Sequence, residues 1–164
     1  MAGYGLNVKI EGLEQLAGTM KGFPTITRGI YRTMIDNLTK VAQEEAVKNA
    51  PTDTGTLLQS ITTRIGLQSQ QIVGEVFMGE MKPYFAYQEY GTGIYGYKAK
   101  PITPTKGEYL NFRLKDGTWI RTKSVKGVPA KGFMKKGREL ASQKTPEEMA
   151  KAKTKLVSYF LTGK

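Results

Sequence analysis

The stretch Ala50-Pro51-Thr52-Asp53-Thr54-Gly55-Thr56-Leu57-Leu58-Gln59-Ser60-Ile61 separates a long helical pattern from a strand-rich middle. Pro51 ends the helix before it, because proline lacks a backbone N–H and its ring clashes with the preceding turn. Gly55 can adopt positive φ, and the polar residues around it favour a turn. One helical turn is predicted from Leu57, with Thr54 as a candidate N-cap. The stretch therefore predicts a helix-to-strand corner and carries no chemistry of its own.

A long amphipathic helix is predicted before this corner, from about residue 25 to residue 50. Its apolar residues repeat at helical spacing and mark a face that packs on the core; they are Ile26, Ile30, Met34, Leu38, Val41, Ala42 and Ala46. A strand at residues 6–10 and a short helix at residues 12–21 are predicted upstream. Phe23-Pro24 is predicted to separate the two helices, because proline interrupts a helix interior.

Two β patterns follow the corner, at residues 61–67 and 71–78, and together predict a hairpin. Pro83 is placed to open a short helix that continues through Tyr90. Gly91 then follows as the left-handed residue that ends many helices.

A second hairpin is predicted around Lys115-Asp116-Gly117, which separates two β-compatible runs. Its register stays open at this point. A two-residue turn would face Leu114 to Trp119, whereas a three-residue turn with a bulge would face Phe112 to Ile120.

C-terminal helices are predicted over residues 130–162. Thr145-Pro146-Glu147-Glu148 reads as a fresh helix start, with Thr145 as N-cap, Pro146 at the first position and Glu148 completing a capping box. The predicted fold class is α+β: a small, mostly antiparallel sheet with the long helix packed on one face and C-terminal helices.

The composition excludes most enzyme templates. The chain has 164 residues, a length that suits a single domain over residues 1–164, and contains neither cysteine nor histidine. The commonest general base and the thiolate nucleophile are therefore missing. No apolar run approaches the roughly 20 residues of a membrane helix, and the first residues lack a signal-peptide pattern. We expect a non-enzymatic protein, made in a cytoplasm, with no cofactor, metal or membrane partner.

The formal charge of +11 is concentrated in one region. Residues 98–144 hold thirteen basic and three acidic residues, whereas residues 1–97 are close to neutral. A concentration of this kind indicates a surface that meets an anionic partner. Aromatic residues are interleaved with the cations, which suits nucleic acid, a protein interface or a hairpin core; they are Tyr95, Tyr97, Tyr109, Phe112 and Trp119. A plain solvated basic face is the remaining alternative.

Two features of the sequence suggest a catalytic or phosphate-binding site. Glu89 is conspicuous because it lies among aromatic residues, but a helix-end carboxylate bonded to backbone or to a lysine is the favoured interpretation. Gly91-Thr92-Gly93 resembles part of a phosphate loop, yet it lacks the third glycine and the Lys-Ser/Thr that would follow. No ligand spacing points to a metal site among the other candidate acids, which are Asp53, Glu75, Glu80 and Glu108.

The order of these features resembles the minor tail, or tail-completion, proteins of long-tailed bacteriophages. Four segments carry the resemblance: EGLEQL (11–16), NAPTDTGTLLQSI (49–61), YFAYQEYGTG (84–93) and GVPAKGFM (127–134). Gly132 departs from the family pattern, which usually has proline before the phenylalanine. The Thr145-Pro146 break also departs from it, because the family tends to run one helix there.

The resemblance implies a structural virion protein of the phage neck, a tail-completion subunit that forms a ring of six copies. The implied partners are other copies, the tail terminator or tail tube, head-closure or connector proteins, and passing double-stranded DNA. It also implies fold-keeping roles for Pro51, Gly55, Leu57, Glu89, Gly91 and Phe133. The expected partner or DNA interface consists of Lys98, Lys100, Lys106, Arg113, Lys115, Arg121, Lys123, Lys126 and Lys131, mostly in a basic loop and hairpin region at 94–126.

Charge arithmetic favours protein over DNA as the main anionic partner. Six copies of this region would carry about +60, against about 24 phosphates in roughly 40 Å of duplex, at one charge per ~1.7 Å. A ring with that excess facing its bore would hinder DNA exit, so we expect most of the charge to face acidic surfaces of neighbouring virion proteins. Two alternatives stay open: a basic nucleic-acid-binding protein acting outside a virion, and a metal-dependent nuclease.

Overall fold

A computed structural model describes residues 13–52, 55–68, 71–78 and 83–162. The helices are α1 (Leu13–Asn49), α2 (Thr56–Ser60), α3 (Pro83–Tyr90) and α4 (Phe133–Thr162), with a short 3-10 turn at Gly93–Tyr95. The strands are β1 (Ile61–Gln68), β2 (Gln71–Met78), β3 (Leu110–Arg113) and β4 (Trp119–Thr122). The α+β class is confirmed. The described strands form two separate two-stranded antiparallel sheets, β1–β2 and β3–β4. The strand predicted at residues 6–10 lies outside the described residues.

The predicted helix break at Phe23-Pro24 is wrong, because α1 continues through Pro24 as one helix of 37 residues. An interior proline costs a helix about 3 kcal/mol through its missing N–H and its ring clash. Contacts with α4 immediately before this position favour the continuous helix. Phe23 stacks on Phe160 with ring centroids 4.8 Å apart, and Gly22 lies against the Tyr159 hydroxyl.

The predicted helix start at Thr145 is also wrong, because α4 runs through Pro146 without interruption. Thr145 is not an N-cap: its hydroxyl donates to the Ala141 carbonyl, one turn back, at 2.9 Å. Glu148 does not close a capping box but accepts a hydrogen bond from the Asn37 amide on α1 at 2.8 Å. Packing against α1 therefore overrides the local start signal, and the C-terminal region is a single helix.

The two long helices lie antiparallel, and they approach each other closely at a glycine. A Cβ atom on Gly137 would overlap the backbone carbonyl of Ala42. The hydrogen bond between Asn37 and Glu148 comes next along the pair, and the Phe23–Phe160 contact lies further along still. This order of contacts defines a long two-helix layer.

The predicted corner is confirmed. Pro51 follows the end of α1, and Gly55, with φ of 72°, is the N-cap position of α2. Thr54, the candidate N-cap from the sequence, lies outside the described residues. The β1–β2 hairpin has the predicted extent, with Ile61 opposite Met78 and Gln68 opposite Gln71.

The first hairpin is held closely on α1. The Gln43 amide donates to the Ile61 carbonyl at 2.9 Å. A Cβ atom on Gly74 would overlap the Thr39 hydroxyl, which donates to the Ile35 carbonyl. The absence of a side chain at Gly74 therefore lets β2 approach α1.

The main core lies where the corner, the first hairpin and the start of α4 meet. Phe133 is fully buried, with 0% exposure, and its ring packs edge-on against Phe85 at a centroid distance of 5.6 Å. The buried residues around it are Ala46, Ala50, Leu57 and Ile61. Ala152 is buried separately, in the two-helix layer.

Candidate interaction surface

The end of α3 is fastened to the start of α4 by Glu89. Its carboxylate is buried, with 5% of the residue exposed, and accepts the backbone N–H groups of Met134 at 3.0 Å and Lys135 at 3.1 Å. The carbonyls of Gln88 and Glu89 accept the N–H groups of Lys131 and Gly132. Glu89 thus caps a helix that begins more than forty residues later, as a carboxylate does well at the positive end of a helix dipole. This is the backbone-bonded carboxylate that the favoured interpretation predicted.

Gly91-Thr92-Gly93 pairs with another segment of the chain. The Thr92 N–H donates to the Val128 carbonyl at 2.9 Å, and the Ile94 N–H donates to the Lys126 carbonyl at 2.8 Å. The Thr92 hydroxyl accepts the Val128 N–H at 2.9 Å. Because these donors face protein carbonyls, the segment is a seam that closes a long loop, not a cradle for phosphate.

The loop closed by this seam carries the second hairpin. Ile102 and Val125 form a further backbone bridge. In the β3–β4 pair Phe112 faces Ile120 and Arg113 faces Trp119, so the second of the two open registers is the observed one. The turn is stabilised by the Asp116 carboxylate, which accepts the Thr118 N–H at 2.9 Å, and by Gly117, whose φ is 92°. We call residues 109–123 the ribbon.

All nine cations of the expected partner interface are exposed. Four of them lie on the ribbon: Arg113, Lys115, Arg121 and Lys123. Lys98, Lys100 and Lys106 lie on the loop that precedes it, and Lys126 and Lys131 lie at or near the seam. The structure brings Arg121 and Lys123 together over the Tyr109 ring, 4.1 Å and 5.8 Å from its centroid.

The proposed fold-keeping residues lie at the core or at its connections. Leu57 and Phe133 are buried in the core cluster. Gly91, with φ of 75°, follows α3 as predicted, and a Cβ atom there would press on the backbone of residues 95, 128 and 130.

A cleft of about 950 Å³ is the feature that sequence reasoning missed. Its floor is the face of α1 around Leu38 and Ala42, and β2 and α4 form its walls. Cations line it on the α4 side and the adjoining loop: Lys131, Lys135, Lys136 and Arg138. Only Lys131 was in the predicted interface. The helical spacing of the other three was visible in the sequence, but their position beside an apolar floor depends on how α4 crosses α1.

The candidate acids that the structure describes do not converge. Glu75 pairs with Arg64 across the first hairpin, with an Arg64 Nε to Glu75 Oε2 distance of 2.9 Å, and Glu89 is held by α4. Asp53 and Glu80 lie outside the described residues. Among the residues that the structure describes, no three acidic side chains lie close enough together to hold a metal ion. Within the same residues, no helix combines the length and apolar character needed to cross a bilayer.

Comparison with known families finds a similarity in the N-terminal part of the chain. Residues 14–91 match a family model described as "Bacteriophage HK97-gp10, putative tail-component". The matched segment covers nearly all of α1, the corner, the first hairpin and α3, which is just under half of the chain. No similar curated protein and no similar solved structure was found. Over residues 14–91 the chain is therefore similar to the HK97-gp10-like family of bacteriophage tail components, in agreement with the resemblance that its sequence motifs carry.

Proposed function

We propose that this protein is a tail-completion component of a phage virion, which assembles as a homo-oligomeric ring of six copies and helps to join the tail to the head. Its place is the neck, at the head-proximal end of the tail, after assembly in the host cytoplasm. Its partners are copies of itself, the tail terminator or tail tube, and head-closure or connector proteins. The match to a tail-component family supports the structural, non-enzymatic part of this proposal.

The observation that carries the proposal is how much surface the isolated chain leaves exposed. Among the residues whose burial the structure describes, eighteen large hydrophobic side chains are exposed, including Tyr97 and Leu161. In the same residues only six hydrophobic side chains are buried, and three of these are alanines. A chain with so small a core is expected to complete its burial against neighbouring subunits.

The charge of the exposed surface supports acidic protein neighbours. The nine predicted cations and the cations of the cleft, which share Lys131, all lie at the surface. Aromatic residues and arginines are common at protein interfaces, and complementary charge favours the correct partner and register. We therefore assign the nine-cation set mainly to contacts with acidic surfaces of other virion proteins.

Charge reversal of four of these lysines tests the proposal. Replacing Lys98, Lys100, Lys106 and Lys126 by Glu should abolish ring or neck assembly, seen by electron microscopy of purified protein mixed with tails. The matched control reverses four exposed cations outside the region, Arg32, Lys48, Lys153 and Lys155, and should still assemble. If the first variant forms particles that join and infect normally, the proposal is wrong.

A basic nucleic-acid-binding protein acting outside a virion is the second candidate, favoured by the exposed aromatic residues among the cations. Such a protein would bind DNA tightly as an isolated subunit, with a steep salt dependence. A neck component is expected to bind DNA weakly, and only at low salt, until it is assembled. Binding of the monomer to duplex DNA at several salt concentrations separates the two.

A further inference from the structure

The two faces of the ribbon differ sharply in chemistry. Side chains alternate between the faces of a β-pair, and residues opposite each other share a face. Arg113 faces Trp119 and Asn111 faces Arg121, so these four lie on one face. Tyr109 and Lys123 extend the same face, since Arg121 and Lys123 both contact the Tyr109 ring. The other face is mainly apolar, with Leu110, Phe112 and Ile120. We call the first set the cationic face.

The cationic face is preorganised for an anion. Arg121 lies 4.1 Å from the centroid of the Tyr109 ring, which restricts the guanidinium and leaves its edge donors able to bind. The Nε group of Arg113 donates to the Gly117 carbonyl at 3.0 Å, which holds this second guanidinium beside the turn. The only acid in the turn, Asp116, is engaged with the Thr118 N–H. The face therefore presents three cations and no carboxylate.

Trp119 adds a large apolar ring to this face. It is 71% exposed, although its size makes tryptophan one of the most strongly buried residue types on average. Neither the apolar face of the ribbon nor the main core covers it. An exposed aromatic ring between arginines gives this face an apolar contact beside its cations, so that a DNA backbone can meet charge at its phosphates and the ring at its sugars.

We propose that the cationic face of the ribbon binds double-stranded DNA. The major groove of B-DNA, about 12 Å wide, admits a two-stranded β-ribbon. Arg113, Arg121 and Lys123 follow one another at steps of two residues along the ribbon, about 6.8 Å. Phosphates of one DNA strand advance about 3.4 Å along the axis per nucleotide while they wind around it, so a row of cations at this spacing can reach more than one phosphate beside the groove.

Three of the six side chains on this face are cations, and charged residues are depleted at the centre of protein interfaces. Arginine, tyrosine and tryptophan are enriched there, so an acidic polypeptide serves as the competing ligand in the test below. The inference rests on the proposed function in one respect, because the place of the chain in the tail is what brings duplex DNA to it. The DNA contact involves only part of the basic region, and the remaining cations keep their assignment to protein neighbours.

Trp119 provides a direct measurement, because it is the sole tryptophan of the chain. We expect a 30-base-pair duplex to quench its fluorescence at low salt. Replacing Arg113, Arg121 and Lys123 together by Gln should lower the slope of log K against log salt by about 2.7, and each single replacement by about 0.9. Between 50 and 200 mM salt, a contribution of 2.7 corresponds to about a 40-fold loss of affinity.

The matched control removes three cations from the preceding loop, by replacing Lys98, Lys100 and Lys106 with Gln. With this variant the duplex should still quench Trp119, and the ribbon should still contribute about 2.7 to the slope of log K against log salt. Far-UV circular dichroism and thermal unfolding should show that both variants fold like the unaltered protein. The proposal is overturned if the loop variant loses as much slope as the ribbon variant, or if polyglutamate quenches Trp119 as strongly as the duplex does.

The proposed function and the DNA-binding role of the ribbon can be contradicted independently of each other. The ribbon variant with three Gln residues should still join tails, because its protein-facing lysines are intact. If it binds DNA like the unaltered protein, the ribbon inference is wrong, whatever the assembly assay shows. If charge reversal of the four lysines leaves neck assembly intact, the proposed function is wrong, even when the ribbon quenches as expected.

Discussion

The carboxylate of Glu89 lies across the N-terminus of α4 and accepts the backbone N–H of Met134 at 3.0 Å. The contact joins residues that are 45 positions apart in sequence. It fixes the first turn of α4 beside the end of α3, and Phe133 enters the core immediately before it. The closed end of the basic loop is therefore attached to the core through a buried hydrogen-bonded carboxylate.

Removing this carboxylate should destabilise the protein. Glu89→Ala leaves two part-buried N–H groups without their carboxylate acceptor and should lower the free energy of unfolding by about 3 kcal/mol. Glu89→Gln keeps one acceptor and should lower it by about 1.5 kcal/mol. Urea denaturation measures both. Glu139→Gln, which alters an exposed carboxylate near Lys135, is the control and should change stability by less than about 0.5 kcal/mol. Equal stability of Glu89→Ala and the unaltered protein would contradict the capping role.

The approach of α4 to α1 at Gly137 predicts a reversal of the usual effect of alanine in a helix. Gly137→Ala would drive a methyl group into the Ala42 carbonyl, and should cost about 2 kcal/mol by overpacking. Gly29→Ala is the matched control, because nothing lies within 4 Å of the added methyl, and it should stabilise the protein by about 1 kcal/mol. The midpoint of thermal unfolding should fall for Gly137→Ala and rise for Gly29→Ala. A shift upwards for both would show that the helices do not touch at Gly137.

The continuity of α4 can be tested at Thr145 and Pro146. In a helix interior, Pro146→Ala should stabilise the protein by about 3 kcal/mol, and Thr145→Ala should be neutral or slightly stabilising. If a new helix began at Thr145 instead, Pro146→Ala would have little effect and Thr145→Ala would cost about 1 kcal/mol. Chemical denaturation of the two variants therefore distinguishes a continuous α4 from a helix that starts at Thr145. The change in the free energy of unfolding differs in size for Pro146→Ala and in direction for Thr145→Ala.

A cluster of charges on α4 predicts a pH dependence. Hydrogen bonds from Lys151 and then Lys144 lower the pKa of Glu147 from 4.5 to about 2. Because the folded-state pKa is depressed, the stabilisation is complete above about pH 4.5 and is lost as the pH falls toward about 2. The free energies of unfolding of the unaltered protein and of Glu147→Gln should therefore converge as the pH falls through this interval.

Salt provides the control for this titration. The charges are exposed, and at 1 M salt the screening length falls to about 3 Å, so the difference between the two proteins should shrink at every pH. A difference that persists unchanged at pH 2 would contradict the assignment to Glu147.

Local signals predicted the elements whose ends depend on a few neighbouring residues. Pro51 and Gly55 marked the corner, alternating residues marked the first hairpin, and Gly91 marked the end of α3. The same kind of signal failed at Pro24 and Thr145. There, packing between two long antiparallel helices is worth more than the local cost of a proline, and this contribution is not visible from either helix alone.

The candidate interaction surface was also only partly predictable from the sequence. The sequence located the basic region and its aromatic residues, but it left the register of the second hairpin open. The observed pairing of Arg113 with Trp119 separates a cationic face from an apolar one, and a shift of one residue would have mixed them. The cleft beside α4 was missed, because it exists only where α1, β2 and α4 come together.

By itself, the sequence determined the α+β class, the corner at Pro51, the concentration of positive charge and the resemblance to phage tail proteins. These depend on composition and on patterns a few residues long. Only the tertiary structure decided that α1 and α4 are unbroken, that Glu89 caps a distant helix and that one face of the ribbon collects the cations. Each of these depends on contacts between residues far apart in the chain, whose energies outweigh local preferences and leave no mark in a short stretch of sequence.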